Sequence, residues 1–204
     1  MPDEAVVHVI DDDEAVRDSL AFLLETADYF VHAYDSATAF LAKLDTASPG
    51  CVVTDVRMPG MSGLELVRAL NARGCTMPVI VITGHGDVPL AVEAMREGVV
   101  DFIEKPFADE TILGALRNAR ERSQGRNVHD GERSEFIKRL ASLSGRERQV
   151  LDGLVAGQAN KVVAIELGIS PRTVEVYRAN LMSKMRAGSL SELVRMALVA
   201  GSSR

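Results

Sequence analysis

The 204-residue chain holds only two cysteines, Cys51 and Cys75, and no tryptophan. Two thiols cannot form a disulfide framework, and with Cys51 inside an apolar run they read as buried, reduced thiols of a cytoplasmic protein. No apolar stretch approaches the roughly 18 residues of a membrane span, and the acidic amino terminus is not a signal peptide, so no membrane partner is expected. Cys/His spacing of the metal-binding kind is missing. Gly84-His85-Gly86 lacks the Gly-x-Gly-x-x-Gly pattern after a first strand, and no Walker-type Gly-Lys-Ser/Thr occurs. Both familiar nucleotide-binding loops are thereby excluded. His85 reads as a loop residue rather than a general base, and His8 as a satisfied strand histidine.

The charge that is present is unevenly distributed. Residues 1–124 carry 10 Lys+Arg against 21 Asp+Glu, a balance of -11, whereas residues 125–204 carry 13 against 8, a balance of +5. An acidic half followed by a basic half fits a regulatory domain joined to a module that meets a polyanion. The first half alternates strand candidates at 5–10, 29–34, 51–54, 78–83 and 99–103 with amphipathic stretches near 14–27, 36–45, 62–72, 87–97 and 109–122. That alternation predicts a parallel sheet covered by helices. Except for 29–34 the strands are nearly continuous apolar runs, as burial on both faces requires. Turn formers crowd residues 123–131, and an interdomain linker with partly helical character is placed at 123–139. The second half reads as all helical, with a short helix near 132–141 and further segments near 145–156, 160–167, 171–187 and 190–200. Ser144 with Glu147 has capping-box spacing, and Ser170-Pro171 is a helix start. Short helices joined by tight turns suggest a helix-turn-helix core.

Four strand ends carry chemistry. Asp11 and Asp12 follow the first strand, Asp55 the third, Thr83 closes the fourth, and Lys105 follows the fifth. Ligands of open parallel sheets bind outside the carboxyl ends of the strands. An acidic pair, an acceptor carboxylate, a hydroxyl and an ammonium therefore converge, which suits a phosphoryl group carried on Asp55. Mg²⁺ (or Mn²⁺) needs few protein oxygens, and Asp12, Asp55 and a main-chain carbonyl supply them with Asp11 assisting. Lys105 pairs with one phosphoryl oxygen and Thr83 with another, so positioning and charge neutralisation suffice for transfer. A phosphatase with an Asp nucleophile is the enzymatic alternative. It needs a second Asp two residues on, where Arg57 stands, so no enzyme is expected.

Ile10-Asp11-Asp12, Asp55-Val56-Arg57-Met58-Pro59-Gly60, Thr83 and Phe102-Ile103-Glu104-Lys105-Pro106 resemble the receiver domain of two-component response regulators over residues 1–122. The resemblance implies a flavodoxin-like five-stranded sheet of order 2-1-3-4-5 and phosphorylation of Asp55 by a sensor histidine kinase. It further implies that the Arg57 carbonyl serves as a metal ligand and that the Lys105–Pro106 peptide is cis. Phe102 takes the place of the family's aromatic switch residue, more often Tyr. Activation is then expected to move Thr83 toward the phosphoryl group and turn Phe102 inward.

On the helix after Ser170, roughly 100° per residue puts Val174, Tyr177, Leu181 and Met185 on one face. Arg172, Val176, Ala179, Ser183 and Arg186 lie on the other. Small side chains flanked by arginine suit close approach to a major groove. Lys161, Arg178, Asn180 and Lys184 surround that face and are candidates for phosphate contacts. Leu143-Ser144-Gly145-Arg146-Glu147, Asn160-Lys161 and Ser170-Pro171-Arg172-Thr173-Val174-Glu175-Val176 resemble the LuxR/NarL-type helix-turn-helix, a four-helix domain, over 140–204. By that likeness Glu175, Val176 and Ala179 face base edges. The full DNA-binding set becomes Lys161, Arg172, Thr173, Glu175, Val176, Arg178, Ala179, Asn180 and Lys184. Receiver and effector together resemble the NarL/FixJ class. The class implies a FixL-like kinase, dimerisation on phosphorylation through the face near 87–103, promoter DNA and RNA polymerase as partners, and activation of nitrogen-fixation genes. A receiver controlled by protein contacts without phosphorylation is the alternative within the same class.

Overall fold

A computed structural model describes residues 5–84, 88–123 and 129–201. The sequence-based readings of His85, Gly86 and linker residues 124–128 fall outside them. Contacts divide the chain into two compact units, residues 1–85 with 97–126, and residues 86–96 with 127–204.

The first unit is built on five parallel strands, β1 (Val6–Ile10), β2 (Phe30–Tyr34), β3 (Cys51–Asp55), β4 (Val79–Thr83) and β5 (Asp101–Glu104), in the order β2-β1-β3-β4-β5. Between them run α1 (Glu14–Thr26), α2 (Ala37–Lys43) and α3 (Gly63–Ala72), and α5 (Asp109–Ser123) follows β5; α4 (Val88–Arg96) lies between β4 and β5 in the chain but belongs to the second unit. The sheet order is the one the receiver resemblance implies. Alternate residues of the inner strands, Val7, Val9, Cys51, Val53, Ile80, Ile82 and Ile103, share a core with Leu20 and Leu24 of α1 and Ile112, Ala115, Leu116 and Ala119 of α5. The period-2 alternation of strands sends the intervening residues to the opposite face. β2 is the exception among the strands. It lies at the sheet edge, and Phe30 is 55% exposed, which accounts for its broken apolar pattern.

The second unit is helical: α6 (His129–Ala141), α7 (Gly145–Val155), α8 (Asn160–Leu167), α9 (Pro171–Met185) and α10 (Leu190–Gly201). Phe136 and Leu140 of α6 are buried with Val150, Leu151, Leu154, Val163, Val174, Leu181, Met185, Leu193 and Val194, and Val92 of α4 belongs to the same cluster. Helix α6 therefore contributes to this core. Local signals set the helix ends. Ser144 and Glu147 form a full capping box on α7, and Ser170 caps α9 with Pro171 in its first turn. Between α8 and α9 the chain reverses at Gly168, whose left-handed φ of 65° disfavours any residue with a Cβ.

Candidate phosphoacceptor pocket and nucleic-acid interface

Sheet register assembles the first site. Ile10 pairs with Thr54, Asp55 with Ile82, and Thr83 with Glu104. The strands thus end nearly level, and the last residue of each or the one after it carries the functional side chain. Asp11 follows Ile10, Asp55 closes β3, Thr83 closes β4, and Lys105 follows Glu104. Lys105 Nζ donates to Asp11 Oδ2 and to Asp55 Oδ1, each at 2.9 Å. The second oxygen of Asp55 accepts from the Arg57 amide at 2.6 Å, and the other oxygen of Asp11 accepts from the Asp13 amide at 3.0 Å. Side-chain exposures of 5% for Asp11 and 11% for Asp55 leave Asp55 reachable but poorly solvated. Burial alone would lower the Lys105 pKa; hydrogen bonds to Asp55 and Asp11 and their charges outweigh it and hold the ammonium above its ordinary value.

The surroundings fix these groups. Asp13 caps α1 by accepting from the Ala15 and Val16 amides, and Arg17 Nη1 donates to the Asp11 carbonyl at 2.8 Å. Gly63 opens α3 directly under the pocket. A Cβ there would collide with the Asp55 carbonyl oxygen, so the close approach of α3 to β3 depends on glycine. The Lys105–Pro106 peptide is cis, as the resemblance implies. Thr83 is fully buried, and Phe102 is already buried, at 7% exposure. An inward turn of Phe102 on activation is therefore not needed to remove it from solvent. A separate cavity of about 230 Å³ lies at the amino ends of β1, β3 and β4, lined in part by Val7, Cys51 and Leu116; it is remote from this chemistry in the fold.

Asp12 is exposed beside the Asp11–Asp55 pair. Among the described residues no trio of His, Cys, Asp or Glu is arranged to hold a metal ion. A hard cation such as Mg²⁺ keeps several waters and asks for only one or two carboxylates. Two carboxylates, Asp11 and Asp55, share the single Lys105 ammonium, so the donor set and its charge fit such an ion.

The second site is the exposed side of α9. Val174, Leu181 and Met185 are fully buried, whereas Arg172, Glu175, Val176, Ala179, Asn180 and Ser183 are exposed, and Val176 is 56% exposed. Thr173 is half-buried, its hydroxyl 2.8 Å from that of Ser170. Lys161, near the start of α8, is exposed. Two of the expected phosphate contacts are engaged inside the protein. Arg178 Nη1 donates to Asn160 Oδ1 at 3.1 Å, and Lys184 Nζ donates to Glu147 Oε2 at 2.8 Å.

A family model described as response regulator receiver domain matches residues 7–117, and one described as bacterial regulatory proteins, luxR family, matches residues 141–197. The chain belongs to the two-component response regulators with a luxR-type DNA-binding domain. A transcriptional regulatory protein FixJ from Azorhizobium caulinodans is 62% identical over 98% of this chain and 95% of its own. The FixJ of Bradyrhizobium diazoefficiens is 53% identical over 96% and 95%. A crystal structure of full-length FixJ from B. japonicum is similar with a TM-score of 0.58 at 52% identity, covering 98% of each chain. This response regulator is FixJ-like over nearly its whole length, a transcriptional regulator with a receiver and a DNA-binding domain.

Sequence reasoning missed Arg17, Gly63 and the Glu147–Lys184 pair. A glycine at the first position of α3 was the available signal for Gly63. Nothing local announces Arg17 or the pairing of Glu147 with a residue 37 positions away. His8 is only half as expected. Its Nε2 faces the Ser48 carbonyl at 2.9 Å, but its buried Nδ1 has no partner among the described residues.

Proposed function

We propose that Asp55 accepts a phosphoryl group from a sensor histidine kinase of the FixL kind and that this switches the regulator on. The observation that carries the reading is the Lys105 ammonium held between Asp11 and Asp55 at the carboxyl ends of the strands. Oδ1 or Oδ2 of Asp55 attacks phosphorus as the bond to the kinase imidazole breaks, and the imidazole leaves with the electron pair and takes up a proton. Lys105 transfers from the Asp55 carboxylate to a phosphoryl oxygen, and Thr83 follows to another. Mg²⁺ held by Asp12, Asp55 and the Arg57 carbonyl, with Asp11 assisting, would supply charge neutralisation at the phosphoryl oxygens. The added charge of about -1.5 to -2 at a site already acidic is what shifts the receiver between its two states.

The output is dimerisation through the face near 87–103 and binding of two effector domains to a two-fold promoter site in the cytoplasm, where RNA polymerase is recruited. Likeness to FixJ proteins supports nitrogen-fixation genes as the target. The test is incubation of the full chain with acetyl phosphate and Mg²⁺, followed by intact mass and sedimentation. Wild type should gain one phosphoryl group and dimerise, and Asp55→Asn should do neither. A wild type that gains no mass sinks the switch. Dimerisation of Asp55→Asn without mass gain sinks the output step alone.

A further inference from the structure

The recognition helix is held from both sides by its own cations. Arg172, Val176, Ala179 and Ser183 form the exposed row of α9, and at roughly 100° per residue Lys184 and Arg178 fall on its two flanks. Lys184 meets Glu147 on α7, and Arg178 meets Asn160 on α8. We propose that Lys184 and Arg178 are positioning residues that set the rotation of α9 against α7 and α8, and that DNA phosphates are met by Lys161 and Arg172 instead.

The Glu147 carboxylate decides the matter for Lys184. Glu147 is 4% exposed, and its Oε2 also accepts from the Ser144 amide at 2.7 Å. Hydrogen bonds from Lys184 and Ser144 bring its pKa down to about 2, so it is ionised at every pH near neutral. If Lys184 left for a phosphate, a buried carboxylate would lose its only cationic partner seen among the described residues, a strongly unfavourable change. Lys184 therefore stays with Glu147 when DNA binds. Its donor atom spans from the carboxyl-terminal half of α9 to the first turn of α7, which is where a tie can resist rotation of the helix. Arg178 completes the arrangement at the first residue of α8. Lys161 and Arg172 are exposed and have no side-chain partner among the described residues, so phosphates can take them at no internal cost.

Salt dependence separates the two roles, because each phosphate contact adds about 0.9 to the slope of log K against log salt, and a positioning residue adds nothing. The probes are a duplex selected by the full-length wild type from a random pool, and poly(dI–dC) as non-specific DNA. Lys184→Gln should bind the selected duplex about tenfold more weakly with an unchanged slope, and bind poly(dI–dC) almost as before. Lys184→Arg, which keeps a donor for Glu147, should restore most of the lost affinity. Glu147→Gln, which releases Lys184, should reproduce the loss seen in Lys184→Gln. Arg172→Gln should lower the slope by about 1 and weaken both DNAs alike. The proposal is overturned for Lys184 if Lys184→Gln flattens the slope and weakens both DNAs equally, or if Glu147→Gln tightens binding and steepens it. An unchanged slope in Arg172→Gln overturns its phosphate half.

Discussion

Each unit keeps one lysine on a carboxylate brought from far along the chain, and the two pairs are built for different ends. Lys105 sits between two carboxylates, Asp11 and Asp55, and its side chain is 24% exposed. Lys184 sits on one, Glu147, which is closed off by the capping box of its own helix. With two anions sharing one cation and a third, Asp12, exposed nearby, the receiver site is under-neutralised. Such a site gains when more positive charge or a better anion arrives. The Glu147 site is balanced and finished. Thus similar ion pairs serve as a device that can be handed over in one unit and as a brace in the other.

Removal of the lysine should tell these apart most sharply. Lys105→Met leaves the receiver fold intact because the ammonium lies at a strand end rather than in the core. Its rate of labelling by acetyl phosphate should fall about a hundredfold, the usual scale for losing one aligned charge from a transition state. The corresponding loss of Lys184 leaves labelling untouched and shows only in DNA binding. A Lys105→Met protein labelled at the wild-type rate would remove the handed-over lysine from the comparison.

A smaller effect is expected from Gly63→Ala, which pushes a methyl group into the Asp55 carbonyl. Overpacking of this kind costs about 1–3 kcal/mol. The urea midpoint of the receiver should fall accordingly, with labelling slowed because Asp55 itself is displaced. Gly145→Ala opens α7 at the same helix position, yet its added Cβ meets nothing within 4 Å, so it should leave stability nearly unchanged. Equal losses in the two variants would show that the close approach at Gly63 is not what matters.

The receiver site was almost wholly legible in the sequence, and the reason is geometric. In a parallel sheet with level strand ends, the residue after each apolar run must arrive at the same edge, so Asp11, Asp55, Thr83 and Lys105 could be grouped without knowing any distance. The buried face of α9 was legible for a similar reason, since one period governs Val174, Leu181 and Met185. What escaped depends on where long side chains turn. Lys184 and Arg178 look like free cations on a helical wheel, but the packing of α7 and α8 against α9 supplies Glu147 and Asn160, and no local pattern encodes that. The edge strand β2 was detectable only as a weaker run, because three of its five residues are exposed and none is fully buried.

The units should also part company in acid. His8 is fully buried in β1, its ring stacked on His32 at 5.5 Å and set against Phe40 at 5.3 Å, with Lys43 over the Tyr34 ring of the same cluster. Burial lowers its pKa, the Ser48 carbonyl partly opposes this, and the neighbouring His32 lowers it further. The unfolded chain therefore takes up this proton at a higher pH than the folded protein does. Stability from a neutral His8 is present above the ordinary value of 6.5 and is lost as pH falls below it toward the depressed folded value. Glu147 is also depressed, to about 2 from 4.5, so its contribution survives until pH drops below 4.5. Urea midpoints followed at the methyl groups of Ile10 and Ile80 should fall as pH drops below 6.5, while the midpoint followed at Ile169 holds until pH drops below 4.5. His8→Phe should flatten the first trend and leave the second alone. If wild type and His8→Phe lose receiver stability in parallel over that range, the buried histidine is not the group that titrates, and the acid sensitivity of the two units has another origin.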